Sequence, residues 1–476
     1  MNLKTNNSGP SLDFTRRNTC DISMRGKILA PVMALLCLGL AAFTTGRAIA
    51  NEARIIAGPT FTSSVHGKMT IWVQTDRPVD LFWSPTVSKW PTDYPAISKE
   101  MCNEPHFREL PAKNRKRNIH TASINVVHGA TYDIGISQGK RGDAFPELLD
   151  KFEISVPPKK GQSGRYTIAF GSCAHHGRFP TQPIWEAVTK EKPDCFLFIG
   201  DNIYLPSKAR KYPESRDGVV KLYRNFYDKN RQVTQLQPLL NTTFIYAIWD
   251  DHDYGPNNSD RTWKWKDVAL EVFREYFPGN YGLPQAPGCF HRFAWGDVDV
   301  FMLDDRSFRD PNFDAARKTF LGNEQLAWLK KGLADSNATF KLVVCGNQML
   351  TDGHPHESWG VLFPKERDAF LRWLWDQKIQ DVLFLAGDRH FAELVKKSDP
   401  QKKGPDLWEL TSSPLANRHF GKATMLLKSN RVGAYDKGVN FGLLRFDTTV
   451  KPAQVELLVK DETGKTVIRQ VVSQKK

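Results

Sequence analysis

Four short segments of this sequence carry residue types that can bind cations. They are Gly171-Ser172-Cys173, Gly200-Asp201-Asn202-Ile203-Tyr204, Trp249-Asp250-Asp251-His252-Asp253-Tyr254 with Gly255-Pro256-Asn257-Asn258 behind it, and Gly387-Asp388-Arg389-His390. A lone Gly-Asp after a strand is commonly a turn, and an isolated His or Cys commonly has a structural explanation. Four such segments at successive strand ends are hard to explain as turns. A core does not need them, and clustered acids repel one another unless cations sit between them. Carboxylates and amide oxygens suit hard cations, whereas thiolate and tyrosinate suit a more polarising ion such as ferric iron. A cation lowers the pKa of a coordinated thiol or phenol, so both could bind deprotonated at neutral pH. Two or more such ions a few Å apart can clamp a phosphoryl group, generate hydroxide from bound water and stabilise a leaving oxygen.

The elements that must position these segments are legible as apolar runs. Strands are expected at 166–171, 195–200, 243–249, 298–303, 341–346 and 381–387, with amphipathic helices between them at about 182–190, 217–228, 263–277, 323–334 and 364–377. Near-continuous apolar strands alternating with helices argue for an α/β domain with buried sheets, in which ligands gather beyond the carboxyl ends of the strands. Three more strands are expected at 441–446, 454–459 and 467–472. The region before this is different in texture. Short β-branched or aromatic runs at 69–74, 79–83, 121–126, 132–136 and 152–156 predict an all-β sandwich of the immunoglobulin or fibronectin kind over 51–157. Residues 158–164 read as a linker, and 165–476 as the second domain.

These residues resemble the alkaline phosphatase D (PhoD-like) branch of the metallophosphoesterases. The resemblance covers about Ile55 to the C-terminus and rests on GSC at 171–173, GDNIY at 200–204, WDDHDYGPNN at 249–258, LDDRSFRD at 303–310, GNEQLAWL at 322–329 and LAGDRH at 385–390. It implies a four-layer αββα catalytic domain behind the N-terminal β-sandwich, a centre of Fe3+ and Ca2+, and hydrolysis of phosphate monoesters and diesters. By the same resemblance Cys173, Asp201, Tyr204 and Asp388 are ferric-ion ligands, with Asp201 and Asp388 able to bridge, and His390 binds calcium. Asp251 takes the place where related enzymes put a metal-binding Asn, and Asn257 or Asn258 could supply an amide instead. His252 is the candidate acid or charge stabiliser for the leaving group. Arg306 and Arg389 are candidates to hold phosphate oxygens in a fork, with a structural salt bridge as the alternative. The sequence departs from the family in having Leu205-Pro206 after Tyr204, where an acid two residues on is common. His354 and His356 are expected to be loop residues near the cleft.

The bulk properties agree with an exported enzyme. Arg25 and Lys27 precede an apolar run at 28–43, and Ala48-Ile49-Ala50 follows as a small-x-small site, so a signal peptide cleaved after Ala50 is expected. The apolar run is short for a membrane span. Removing residues 1–50 changes the net charge from +14 to +10, which would draw anionic substrates. The Lys and Arg are scattered, so neither a nucleic-acid nor a membrane-protein partner is expected, and the chain is read as a monomer acting on a small or polymeric phosphate ester. Cys102, Cys173, Cys195, Cys289 and Cys345 remain, an odd count that leaves at least one thiol unpaired or bonded to another chain. Cys195 and Cys345 read as buried hydrophobes. Gly464-Lys465-Thr466 lacks the leading Gly of a phosphate loop and reads as a hairpin turn. Three other readings are open: a secreted phosphodiesterase or phospholipase-type enzyme, a purple-acid-phosphatase-like enzyme, against which WDDHD and Cys173 speak, and a secreted binding protein on the same fold, which would predict ligand loss.

Overall fold

Strands that are apolar on both faces must be covered on both faces, and the chain achieves this by stacking two sheets between helices. The computed structural model describes residues 53–64, 67–91, 108–114, 117–140, 146–279, 281–313, 318–352, 357–421 and 430–475. The expected leader, Cys102, His354 and His356 lie outside these residues. Ala53–Lys476 forms one compact unit.

The larger sheet has ten strands in the order Thr466–Ser473, Gln454–Asp461, Asn440–Asp447, Arg165–Gly171, Cys195–Ile199, Phe244–Ile248, Ile55–Ser64, Lys68–Thr75, Ile119–Asn125 and Ala112–Asn114. Its middle strands, Arg165–Gly171, Cys195–Ile199 and Phe244–Ile248, are parallel. The second sheet has seven strands in the order His291–Trp295, Val298–Met302, Phe340–Val344, Val382–Ala386, Leu407–Thr411, Ala392–Lys397 and Arg431–Tyr435. From Val298–Met302 to Leu407–Thr411 these run parallel.

Alternation of side chains decides what each face meets. Tyr246 stacks on Phe293 of the second sheet at 3.6 Å, and Phe244 and Phe446 meet Trp295 and Phe340 at 5.8 and 5.4 Å. On the opposite face of the first sheet, Phe196 and Phe198 pack on Trp185 of the helix Ile184–Lys190. The outer face of the second sheet offers Phe301, Val343 and Phe384 to Leu329 and Leu333 of the helix Asn323–Ala334 and to Phe370, Leu371 and Leu374 of the helix Pro364–Asp376. Each such fully buried side chain contributes about 1.5–3 kcal/mol. The result is the expected αββα layering.

The N-terminal region is strand-rich, as expected. A four-stranded antiparallel sheet, ordered Arg108–Leu110, Leu81–Lys89, Thr131–Gln138 and Glu147–Ser155, shares a core with the Ile55–Ser64, Lys68–Thr75 and Ile119–Asn125 strands through Trp72, Trp83, Ile134 and Ile136. The strand Ile55–Ser64 also pairs in parallel with Phe244–Ile248, at Phe61 and Phe244, so the sheet runs on across the 158–164 connection. Strands at His291–Trp295, Ile55–Ser64, Arg108–Leu110, Ala112–Asn114, Ala392–Lys397, Leu407–Thr411 and Arg431–Tyr435 were not expected. The first and last of these are only partly buried and carry no apolar run. Gly464 does sit in the turn between Gln454–Asp461 and Thr466–Ser473.

Candidate active site

The carboxyl ends of the parallel strands of both sheets come together, and hydrogen bonds cross between them. The Asp388 amide donates to Ser172 Oγ at 3.0 Å, and Asn347 Nδ2 donates to Asp250 Oδ2 at 3.1 Å. The segments that follow those ends are held in backbone conformations that side chains rarely choose. Cys173, Asp201, Asp388 and His390 have φ of 63°, 51°, 63° and 56°. The left-handed region costs a non-glycine residue roughly 1–2 kcal/mol, and such strain collects at functional sites where surrounding structure imposes it.

Two ligand clusters result, with Asp201 common to both. Cys173, Asp201 and His390 bring Sγ, a carboxylate oxygen and a ring nitrogen within 4.8 Å of one another, and Asp201, Asp251 and His252 do the same. The Cys173 thiol donates to Asp201 Oδ2 at 3.5 Å. Tyr204 joins the first cluster, its hydroxyl 3.4 Å from His390 Nε2. Its ring is clamped between His175 at 4.4 Å and His252 at 4.5 Å. Asp388 approaches Cys173 by its backbone carbonyl, 3.7 Å from Sγ, and its carboxylate pairs with Arg389 Nη1 at 3.3 Å. That carboxylate lies outside both three-residue clusters.

The loops are set by a neighbouring acid. Asp253 accepts from the amides of Asn202, Ile203 and Asp250, all at 3.1 Å, and from Tyr227 Oη at 3.3 Å. Asp250 caps the short turn Asp251–Tyr254 by accepting from the Asp251 amide at 2.8 Å. Gly200, at φ 103°, lets the two loops touch, since a Cβ there would lie 2.5 Å from that of Asp250.

The electrostatics of this arrangement ask for positive charge. Burial, then the charges of Cys173, Asp251 and Asp388, push the Asp201 carboxyl well above its usual range. Burial and Asp388 raise the Cys173 thiol to about 12, and burial raises the Tyr204 phenol well above its usual range. Burial lowers His390, favouring the neutral imidazole that a metal needs. Asp251 Oδ1 and His252 Nδ1 are buried with no hydrogen-bond partner. A buried polar atom without a partner is costly, and acids crowded without a counter-ion more so, so these residues fit a bound cation. Cys173, Asp201, Tyr204, Asp251 and His390 are the side chains that would hold it.

Three of the candidate residues are engaged elsewhere. Arg306 is fully buried and its donors are taken: Nε by Asp250 at 2.6 Å, Nη2 by Glu357 at 2.5 Å and Nη1 by the Ser259 carbonyl at 3.2 Å. It is a scaffold cation in this arrangement, each of its three nitrogens being engaged by the fold. Asn258 reaches Asp251 by its backbone amide, at 2.6 Å, instead of its side chain. Asn257 Nδ2 donates to Asn258 Oδ1 at 2.7 Å on the exposed rim. Arg389, by contrast, stays at the site beside Asp388. Ser172, Ser413, His175 and Asp253 were not singled out by the sequence. Asp253 stands inside a motif that was; Ser413 had no local signal at all. Cys195, Cys289 and Cys345 are buried free thiols, as is Cys173.

The sequence model for PhoD-like phosphatases matches residues 168–457, which takes in all four ligand segments. Among solved structures the fold is similar to that of PhoD, with a TM-score of 0.66 and 16% identity over 89% of this chain and 93% of that one. It is also similar to the purple acid phosphatase PPD1 isolated from yellow lupin (Lupinus luteus) seeds, with a TM-score of 0.61 and 10% identity over 87% and 74%. No curated protein matches the chain in sequence. The family match spans more than half of the sequence and coincides with the site built above, so the chain belongs to the PhoD-like phosphatases and is a phosphoric ester hydrolase.

Proposed function

We propose that this phosphoesterase is exported and metal-dependent, hydrolysing phosphate monoesters, diesters or both, with Fe3+ and Ca2+ as its resident ions. The observation that carries the metal reading is the convergence of thiol, phenol, imidazole and carboxylates on Asp201, with Asp251 Oδ1 left without a partner. A thiolate and a phenolate in one ligand set favour a strongly polarising ion, and the carboxylate side favours a hard one. When bound, such ions supply the positive charge against which a phosphoryl group is held and a water is made acidic.

The chain's own residues then do the rest. Tyr204 is pinned by two imidazoles, which fixes its oxygen beside His390. His252 is only partly buried, one residue beyond Asp251, and its amide donates to Asp201 Oδ1 at 3.3 Å. On this reading its imidazole hands a proton to a leaving oxygen. Arg389 stands beside Asp388 and can meet a phosphate oxygen. The export reading rests on Arg25, Lys27, the apolar run at 28–43 and Ala48-Ile49-Ala50.

Elemental analysis and the absorption spectrum of the purified mature chain test the metal assignment. Ferric iron on the Tyr204 phenolate gives a visible charge-transfer band, and Tyr204→Phe should bleach it while keeping the fold. A colourless, fully active enzyme containing zinc alone would overturn the iron assignment and leave the phosphoesterase intact.

A further inference from the structure

Two serine hydroxyls meet at the Cys173 sulfur from opposite sides of the sequence. Ser172 Oγ lies 3.3 Å from Sγ, and Ser413 Oγ, 240 residues along the chain, lies 3.2 Å from it. Each oxygen is also engaged elsewhere. Ser172 Oγ accepts from the Asp388 amide at 3.0 Å, and Ser413 Oγ accepts from the His390 amide at 3.0 Å. A hydroxyl has one proton and two lone pairs. With a lone pair given to an amide, each hydroxyl has its proton available to point at sulfur. Both serines are buried, so water does not compete.

The surroundings keep this arrangement in place. Asn440 Oδ1 accepts from the Ser413 amide at 3.1 Å, and Asn440 Nδ2 donates to the Ser413 carbonyl at 2.6 Å. The Leu415 and Ala416 amides donate to the carbonyls of Ser172 and Cys173 at 2.8 and 3.1 Å. Gly387 leaves room for Ser172, since a Cβ there would fall 2.5 Å from Oγ.

We infer that Ser172 and Ser413 are paired positioning residues that donate O–H···S bonds to Cys173 and thereby tie the thiolate ligand to the amides of Asp388 and His390. This rests on the reading of Cys173 as a metal ligand. Outer partners of this kind orient a ligand and tune the metal, and losing one typically weakens metal affinity by about 10–100-fold. Hydrogen bonds to a ligating sulfur also lower the energy of its lone pairs, which shifts the potential and the spectrum of the metal bound to it.

The test uses Co2+ added to the metal-free mature chain, because a cobalt–thiolate bond has its own near-ultraviolet charge-transfer band. Ser172→Ala and Ser413→Ala should each keep the band, move it to lower energy and raise the apparent Kd for Co2+ by about 10–100-fold. Ser413→Thr retains the hydroxyl and should restore both. In the metal-free protein, Ser172→Ala should speed hydrogen exchange at the Asp388 amide alone, and Ser413→Ala at the His390 amide alone; this selectivity separates positioning from general destabilisation. A wild-type band that neither alanine variant moves, with unchanged Kd, would overturn the proposal while leaving Cys173 a ligand. A wild-type protein with no such band would remove Cys173 from the metal site and the proposal with it.

Discussion

Replacing Arg306 by Met distinguishes a substrate-binding arginine from a scaffold cation. The guanidinium faces Asp250, Asp305 and Glu357, all buried, and among the described residues the other cation in this group is Arg309, whose Nη2 donates to Glu357 at 3.0 Å. Methionine keeps much of the volume and removes the charge, leaving three buried carboxylates against one arginine. Breaking a buried pair in this way costs about 3–5 kcal/mol, because the remaining charges cannot be resolvated. Unfolding entropy of about 2.1 cal/mol/K per residue gives ~0.9 kcal/mol per kelvin over Ala53–Lys476 as one unit, so Tm should fall by roughly 3–6 °C. Arg306→Lys should recover only part of this, since an ammonium cannot span Asp250 and Glu357 as a fork does. The assay is thermal unfolding followed by tryptophan fluorescence, with kcat and KM measured well below Tm. We expect KM within about twofold of wild type, because each nitrogen of Arg306 is engaged by the fold's own acceptors. An unchanged Tm with KM raised tenfold or more would refute the scaffold role and return Arg306 to the phosphate.

Asp201→Ala should abolish hydrolysis and lower bound metal together, because one carboxylate serves both ligand clusters; retention of most activity at saturating metal would count against it. His252→Ala should lower kcat by roughly 10²–10⁴, and more for poor leaving groups than for good ones. An equal loss across a series of aryl phosphates would point to positioning instead. Burial raises Asp305 from the ordinary 3.8 to about 7. A group that binds its proton more tightly when folded contributes stability that is complete below its unfolded pKa and is lost as pH rises through the folded one. Asp305→Asn should therefore flatten the decline in stability between pH 4 and 7, as read by urea unfolding across that range. An unchanged slope would show that Asp305 is ionised throughout.

The layers of the fold were legible because they rest on a simple constraint. Runs such as Cys195–Ile199 and Val382–Ala386 are buried along their whole length, and a sequence of that kind has few other uses. Helices such as Arg216–Arg231 were legible for a similar reason: Val219, Val220, Tyr223 and Tyr227 fall on one face, and Ser215 caps the start by accepting from the Gly218 amide. The edge strand Arg431–Tyr435 had no such pattern, because solvent covers much of it.

The candidate site was legible in its residue types and not in its division of labour. Asp250, Asp251 and Asp253 stand within four residues, and composition cannot tell them apart. The structure separates them by their partners. Asp253 accepts from three backbone amides and a phenol, and Asp250 is occupied by Arg306, Asn347 and the Asp251 amide. Asp251 keeps one buried oxygen with no partner. The same distinction bears on Arg306, which is surrounded by Asp250 and Glu357. Those partners lie 50 or more residues away, at Asn202, Ile203, Arg306 and Glu357, so no local window contains the information. An acid whose oxygens are already engaged by the fold's own donors holds the loops. Asp251 keeps a buried oxygen with no such donor, and on that ground Asp251, more than Asp250 or Asp253, belongs with Asp201 among the ligands.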